Sequence, residues 1–433
     1  MNRWPSLGLL VVFVGFTFAC GGGDPTVRVM SPYNTTLGMS GLQVRANGGA
    51  WVTTDADGFA ALDGASVPYD LDIVQRYETT VRNRDMPDPV AATFRDLWRR
   101  IDVEDEELVM EVDEYGSIDD PGCVVSGRVD LAAGERAFFD ISHVKFGSGV
   151  WATETAEFEE NLRTVIQAPK VGVYALTGVL DADGAFFETI SKAGRVAVDV
   201  PAGRCGTLAN VDVPLEAVDT YDIAVGYDSP DVAGVGQISG FAQVVFDDMP
   251  GAALGVGGVF RAQADGTFTP RMPSGFGQGW VGVSAFGDSR VVDGDASDPS
   301  AYWRYFQTQS PFAFHSVRVE DGATAASLAP PTPTVLLGPE DGATLESSTL
   351  FRWEAVADVA RYDFDFQCTF VGRSGGNLHF HFDTPTTQVE LPAFVLEEVQ
   401  PGMRCAWSVG YALGTDGDKR SAYSVERWVK DPR

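Results

Sequence analysis

The 433-residue sequence predicts an all-β protein that is built from several tandem β-sandwich domains. From residue 26 onward, short apolar runs alternate with glycine-rich and acidic turns, which is the pattern of strands joined by tight connections. Turns of this kind recur at Asn47-Gly48, Asp57-Gly58 and Asp265-Gly266, where glycine supplies the positive φ that a hairpin needs. A single stretch has a helical period, and one isolated helix does not change the fold class.

That stretch begins at Asp88-Pro89, an acid and a proline of the kind that start helices. Its apolar residues then recur at helical spacing, which predicts a helix over 88–101; they are Val90, Phe94, Leu97, Trp98 and Ile101. The acidic segment 102–120 follows as a solvated connector, within which residues 108–112 could form a short strand.

The length accommodates three or four domains at about 100 to 150 residues each. A proline-rich linker is predicted at Ala323–Thr334 (ATAASLAPPTPT), because prolines and small residues do not support a β-ladder. The predicted division is a signal peptide (1–19), a glycine-rich tether (20–25), a β-sandwich with the acidic connector (26–120), two further β-sandwiches (121–220 and 221–322), the linker (323–334) and a C-terminal domain (335–433).

The first twenty residues predict export. Arg3 precedes an apolar stretch from Leu7 to Ala19, which is too short to cross a membrane permanently and is followed by glycines. Thr17-Phe18-Ala19-Cys20 resembles the lipobox of bacterial lipoproteins. That resemblance implies that Cys20 is lipidated and becomes the N-terminus, and Gly21, in the place of a retention aspartate, favours the outer membrane or cell surface. The alternative is an ordinary secretory signal that is cut near Ala19.

Composition restricts the partners. The chain has 61 acidic and 31 basic side chains, a formal net charge of −30, and such a polyanion repels nucleic acid. It equally disfavours binding to anionic lipid through a basic face. The expected contact with a membrane is therefore the lipid anchor alone.

Five cysteines are present, and once Cys20 is assigned to lipid the other four form two pairs. We predict disulfides between Cys123 and Cys205 and between Cys368 and Cys405, each within one predicted domain, in an oxidising compartment. The absence of CxxC spacing disfavours cysteine-ligated zinc and thiol redox chemistry.

Two parts of the chain resemble known β-sandwich families. The segment Gly41–Val74, through Thr53-Thr54-Asp55, Asp57-Gly58 and Tyr69–Val74, resembles carboxypeptidase regulatory-like domains. These are transthyretin-type sandwiches without catalytic residues, so the resemblance implies a scaffold or adhesion-like role.

The C-terminal domain resembles fibronectin type III-like modules. The resemblance rests on Leu350–Trp353, on Ala360–Phe364 and on the proline-glycine turn into the strand Pro401–Val409. Cys405 stands where those modules usually carry an aromatic residue, which fits a disulfide to Cys368. The two-residue period of residues 362–368 predicts a half-buried strand, with Trp353 and Trp407 in the core.

Two segments are candidate metal sites. In His379-Phe380-His381-Phe382-Asp383 the imidazoles and the carboxylate project from one side of a strand and could share one metal such as zinc. The alternative is an exposed strand face opposite buried Phe380 and Phe382. Asp293–Asp298 superficially resembles a calcium loop but lacks the closing glutamate, which favours a surface turn. No other cofactor is indicated.

An aromatic cluster includes Tyr302, Trp303 and Tyr305, and aromatic side chains that are exposed on a β-sandwich can stack on sugar rings. The alternative is packing within a core or between domains.

The sequence contains no GxSxG elbow placed between a strand and a helix and no HExxH or GxxxxGK[ST] motif, which is weak evidence for a non-enzymatic protein. The leading hypothesis is a lipid-anchored extracytoplasmic surface protein with an adhesion, scaffold or ligand-binding role and a carbohydrate or protein ligand. The alternative is a secreted carbohydrate-active hydrolase or a carbohydrate-binding accessory protein.

Overall fold

The structure is a computed structural model, and strands dominate it, which confirms the all-β, multi-sheet fold class. Within the described part of the chain, no helix is long and apolar enough to span a membrane. The described residues are 24–31, 34–81, 90–105, 107–111, 123–141, 150–152, 157–162, 170–180, 187–199, 207–228, 232, 237–245, 253–255, 260–261, 266–275, 278–288, 291–294, 305–307, 310–370, 376–415 and 417–430.

The N-terminal part forms two layers around one apolar core. Its strands are β1 (Thr26–Ser31), β2 (Asn34–Gly38), β3 (Gln43–Ala46), β4 (Val52–Thr53), β5 (Phe59–Ala61), β6 (Tyr69–Val81), β7 (Val90–Val103) and β8 (Glu107–Glu111). One layer contains β2, β1 and β5, and β8 pairs in parallel with β1, so the short strand predicted in the acidic segment is present. The other layer contains β4, β3, β6 and β7. Val27, Val29 and Leu71 are buried between the layers.

The next part contributes two separate sheets. Its strands are β9 (Cys123–Arg128), β10 (Arg136–Ile141), β11 (Val150–Ala152), β12 (Glu157–Leu162), β13 (Lys170–Leu180), β14 (Phe187–Asp199), β15 (Thr207–Asp212) and β16 (Glu216–Ala217). The larger sheet has the order β11-β10-β13-β14-β16, and the smaller one has the order β12-β9-β15.

The third part is centred on three long strands, β19, β24 and β27. Its strands are β17 (Thr220–Asp222), β18 (Ala224–Tyr227), β19 (Gln237–Val245), β20 (Ala253–Gly255), β21 (Phe260–Arg261), β22 (Thr267–Phe268), β23 (Arg271–Pro273), β24 (Gln278–Phe286), β25 (Val291–Gly294), β26 (Tyr305–Gln307), β27 (Phe312–Glu320) and β28 (Ala325–Leu328). The strand β28 lies inside the segment expected to be an unpaired linker and pairs in parallel with β18. That expectation was wrong for the residues that precede the prolines, because alanine and serine can hold extended backbone against a neighbouring strand.

The C-terminal part contains most of the large buried aromatic residues in the described part of the chain. Its elements are β29 (Leu336–Gly338), β30 (Ala343–Thr344), β31 (Leu350–Trp353), β32 (Tyr362–Phe370), β33 (Asn377–Thr384), β34 (Gln388–Glu390), α1 (Ala393–Leu396), β35 (Met403–Thr415), β36 (Asp418–Tyr423) and β37 (Arg427–Lys430). Trp353 and Trp407 are core residues, as predicted, and Phe351 packs edge-on against Trp407. The strand β32 alternates strictly between buried and partly exposed residues, again as predicted.

One sheet connects the N-terminal, third and C-terminal parts of the chain. It contains 15 strands, and its main path runs β20-β19-β24-β27-β36-β35-β32-β33-β7-β6-β3-β4. Two pairings create this continuity, the antiparallel pair β27–β36 and the parallel pair β33–β7. Strands that would otherwise expose unpaired backbone edges are therefore joined to each other.

The seam between β33 and β7 is packed as well as hydrogen-bonded. Val74 and Leu97 belong to the N-terminal strands, yet they are buried in the C-terminal core. Glu398, which follows α1, pairs with Arg95, Nε to Oε2 2.6 Å, and with Arg76. Trp51 packs edge-on against Phe394 of α1, with the ring centroids 6.0 Å apart.

The predicted helix over 88–101 is wrong, because its described residues, 90–101, belong to the strand β7. Adjacent residues of β7 are buried in different cores: Leu97 lies in the C-terminal core and Trp98 in the N-terminal core. A strand that is buried on both faces has no reason to alternate apolar with polar residues. Its apolar residues can then fall at helical spacing by coincidence.

Candidate metal centre

Three neighbouring strands position a cluster of polar side chains on one face of the long sheet. The strand β33 alternates, so Phe380 and Phe382 are buried in the C-terminal core while His379 and His381 project from the opposite face. The predicted orientation of the two histidines is therefore found. Their ring centroids are 4.1 Å apart.

The antiparallel register of β32 against β33 brings a carboxylate to both imidazoles. Asp365 lies directly opposite His381 in the ladder. Its Oδ2 is 2.9 Å from His379 Nε2 and 3.5 Å from His381 Nδ1, and its Oδ1 is 3.1 Å from His379 Nε2. One ligand atom from each of these three residues lies within 4.8 Å of the other two, an arrangement that could hold a metal ion. We call Asp365, His379 and His381 the His–Asp cluster.

The strand β7 supports the cluster from the N-terminal part. Its parallel register places Asp96 beside His379 and Trp98 beside His381. The Oδ1 atom of Asp96 is 3.9 Å from His379 Nδ1, whereas Asp365 contacts the other ring nitrogen, Nε2. The indole of Trp98 stacks on His381 at an interplanar angle of 13°. Both histidine rings are thus held by neighbours on two strands.

Asp383 lies on the same face as the histidines, but its carboxylate is held by arginines. Its Oδ1 is 2.6 Å from Arg361 Nε and its Oδ2 is 3.4 Å from Arg100 Nε. Arg361 also donates to the backbone carbonyl of Ile101, which adds another contact across the β33–β7 seam. The structure therefore brings Asp365, rather than Asp383, together with the two imidazoles.

Further carboxylates lie on the same face of the sheet as the cluster. Asp363, two residues before Asp365 and on the same face, accepts a hydrogen bond from the Tyr423 hydroxyl. Burial, reinforced by the carboxylates of Asp365 and Asp383, raises the pKa of Asp363 to about 7. Burial and the neighbouring Asp363 carboxylate also raise the pKa of Tyr423 well above its usual value. Asp363, Asp365 and Asp383 thus lie on one face of the sheet, and among them Asp383 pairs with arginines.

Sequence patterns alone missed Asp365 and Asp96. Residues on one strand can be grouped by their two-residue spacing, but Asp365 and Asp96 reach the cluster from two other strands. A signal for Asp365 was present, because the buried positions predicted in β32 leave Asp365 on the opposite face. No comparable signal existed for Asp96, since its segment was predicted to be helical.

The other predicted sites divide between described and undescribed residues. The Cys368–Cys405 disulfide is present, and it joins directly paired residues of β32 and β35. Cys20 and Cys205 lie outside the described residues, as does the side chain of Cys123 at the start of β9, so lipidation and the second disulfide stay predictions.

The sugar-stacking and calcium candidates also fall mostly outside the described residues. Tyr302 and Trp303 lie outside them, and Tyr305 is described only through its backbone in β26. The suggested calcium loop is described only at Asp293 and Gly294, where the chain forms the end of β25.

Comparisons with known proteins do not assign the chain to a family. No protein-family model matches it, and no curated protein matches it. One solved structure, described as a tetra-tandem repeat in the extending region of a large adhesion protein, aligns with 93% of this chain and 99% of its own. The identity is 12% and the TM-score 0.12. A likeness at this level carries no argument about fold or function.

Proposed function

We propose that this protein is a lipid-anchored surface scaffold of a bacterium, facing an extracytoplasmic space and presenting a binding surface for adhesion. The observation that carries the proposal is the 15-stranded sheet, which joins strands from both ends of the chain. The antiparallel pair β27–β36 and the parallel pair β33–β7 join the N-terminal, third and C-terminal parts of the chain. Such continuity suits a protein that holds a binding surface away from a membrane.

The seam contacts support a mechanical role more than a catalytic one. Modules that are connected only by flexible linkers rotate independently, whereas Val74 and Leu97 are shared with the C-terminal core. Separating the modules would expose these side chains and break the β33–β7 ladder in the same step. Shared burial of this kind resists bending of the assembly.

The proposal of a lipid anchor is based on the N-terminal sequence. Acylated Cys20, followed by three glycines, would attach the assembly by a short flexible tether, and several acyl chains hold a protein on a bilayer more firmly than one. The net charge of −30 keeps the rest of the chain away from anionic headgroups. The disulfide between Cys368 and Cys405 fits an oxidising compartment outside the cytoplasm.

Metabolic labelling with an alkyne analogue of palmitate tests the anchor. The full-length precursor, expressed in a Gram-negative host, should incorporate the label, partition into the membrane fraction and be digested by protease added to intact cells. Cys20→Ser should lose the label and the membrane association. Cys123→Ser is the matched control and should keep both. A wild-type protein that stays unlabelled and is released by the cells would contradict the proposed lipid anchor at Cys20.

Binding and turnover assays test the scaffold role. Cells that display the wild-type protein should adhere to a glycan array or to immobilised matrix proteins more strongly than cells expressing Cys20→Ser. A polysaccharide panel incubated with the purified chain should show no increase in reducing ends. Sustained turnover that is proportional to protein concentration would contradict the scaffold role and favour the hydrolase alternative.

A further inference from the structure

We infer that Asp365, His379 and His381 form a binding site for a divalent transition-metal ion of the zinc class. The inference goes beyond the scaffold function and stands independently of it. It rests on the distances between the ligand atoms, on the support from β7 and on the chemistry of the donor set.

The spacing of the donors matches a small tetrahedral ion. Zinc binds imidazole nitrogen and carboxylate oxygen at about 2.0–2.2 Å, so two ligand atoms of a tetrahedral site are about 3.3–3.6 Å apart. In the His–Asp cluster, Asp365 Oδ2 is 2.9 Å from His379 Nε2 and 3.5 Å from His381 Nδ1. The three ligand atoms all lie within 4.8 Å of one another, so rotation of the side chains would bring them around one ion.

Asp96 is placed to orient one of the ligands. A histidine that binds metal through one nitrogen commonly directs its other N–H at a carboxylate. His379 Nε2 is 2.9 Å from Asp365 Oδ2 and its Nδ1 is 3.9 Å from Asp96 Oδ1, so metal binding at Nε2 leaves the proton on Nδ1, the nitrogen nearer Asp96. Asp96 has a side-chain exposure of 6%, which makes it a buried second carboxylate behind the ring. His379 belongs to β33 and Asp96 to β7, so this ligand and its supporting carboxylate lie on the two sides of the β33–β7 seam.

The donor set selects the class of metal. Two imidazoles and one carboxylate suit zinc and its first-row neighbours, whereas calcium prefers six to eight oxygen ligands. The side chains of Asp365, His379 and His381 are 18%, 18% and 26% exposed, so an ion and a coordinating water can reach them from solvent. With three protein ligands, the fourth position of a tetrahedral ion belongs to that water or to a ligand presented by a partner molecule.

The arrangement has a consequence for the scaffold. Asp365 belongs to β32, the two histidines to β33 and the supporting Asp96 to β7. A bound ion would join β32 to β33 directly and would join β33 to β7 through Asp96. Metal loading would therefore stabilise the sheet where the N-terminal and C-terminal parts meet.

Calorimetric titration of the mature chain tests the site. The protein is first treated with a chelator and dialysed, and zinc chloride is then titrated into it. We expect one zinc ion per chain, a rise in melting temperature on loading, and no comparable binding of calcium chloride. Cobalt(II) should give the visible absorption bands of a tetrahedral ion. Absence of a one-to-one zinc isotherm for the wild type would overturn the inference and would leave the three residues as a hydrogen-bonded cluster without metal.

Variants locate the site. Asp365→Asn and His381→Gln change a ligand with little change in volume, and each should weaken zinc binding more than about 100-fold. Asp96→Asn should weaken it by about 10- to 100-fold, as expected for the loss of a supporting carboxylate. Asp383→Asn is the matched control, because Asp383 shares the face but pairs with Arg361 and Arg100. It should bind within about threefold of the wild type.

The control measurements separate loss of a ligand from loss of folding. Circular dichroism and the metal-free melting temperature of each variant should match those of the metal-free wild type within a few degrees. Folded Asp365→Asn and His381→Gln variants that bind zinc as the wild type does would contradict the assignment. Loss of binding in Asp383→Asn alone would contradict it equally, since the ion would then lie closer to the arginines. None of these results depends on lipidation or adhesion.

Discussion

The close approach of β33 to β7 favours glycine at position 376. Gly376 precedes β33 and has φ +90°, a backbone conformation that residues with a side chain rarely adopt. A Cβ placed on it would lie 2.5 Å from the carbonyl carbon and 2.9 Å from the nitrogen of Thr93 in β7, and closer still to the carbonyl oxygen. These atoms are backbone, so a side-chain rotation cannot relieve the clash.

Gly376→Ala should therefore destabilise the protein through two separable effects. The positive φ costs about 1–2 kcal/mol for a residue with a Cβ, and overpacking against fixed atoms costs about 1–3 kcal/mol more. The expected loss in free energy of unfolding is the sum, about 2–5 kcal/mol. Gly275 is a matched control, because it also has φ +90° but a Cβ added to it would meet no atom within 4 Å. Gly275→Ala should cost about 1–2 kcal/mol.

Urea denaturation followed by tryptophan fluorescence measures both variants against the wild type. The difference between Gly376→Ala and Gly275→Ala isolates the steric contribution of Thr93, which we expect to be about 1–3 kcal/mol. Equal losses in the two variants would show that β33 and β7 do not approach each other as described. The reasoning about the seam would then be refuted.

Three further predictions concern the disulfide, a buried histidine and the aromatic core. Replacing both Cys368 and Cys405 with alanine should lower the free energy of unfolding by about 3–4 kcal/mol in denaturant titrations, since the bond closes a loop with a sequence separation of 37; a loss below about 1 kcal/mol would contradict this. Burial lowers the pKa of His315, whose Nε2 is 2.9 Å from Asp418. As the pH falls below about 6.5, the usual pKa of histidine, the unfolded state therefore binds a proton before the folded state does, and the free energy of unfolding decreases. The melting temperature of His315→Gln should depend less on pH between 7 and 5 than that of the wild type, and an unchanged slope would exclude this histidine as the cause. Phe351→Ala should cost about 3–5 kcal/mol in the same titrations, because the ring is fully buried, and a loss below about 1.5 kcal/mol would show that it is not in the core.

The strands that alternate could be predicted from the sequence. Residues 362–368 carry apolar side chains at every second position, and β32 buries those positions. The same period placed His379 and His381 on one face and Phe380 and Phe382 on the other. These predictions succeeded because each strand has one buried face, so local spacing and burial report the same geometry.

The seam and the complete His–Asp cluster could not be predicted in this way. Leu97 and Trp98 are buried in two different cores, which removed the alternation from β7 and made the segment resemble a helix. Asp96 and Asp365 reach the histidines through strand register, a property of pairs of segments far apart in the chain. Periodicity within one segment indicates which face each residue occupies, but it does not identify the residue of a distant strand with which it pairs.

Hydrogen exchange of the β33 amides tests the central claim, the continuity of the sheet, most directly. Amides of alternate residues in a strand point to opposite neighbours, so an edge strand leaves every second amide unpaired. Residue-resolved exchange of the full-length protein should show slow exchange at every amide from Leu378 to Asp383, half of them protected by β32 and half by β7. Rapid exchange at every second of these amides would show that β33 is an edge strand, and the joined sheet would be contradicted.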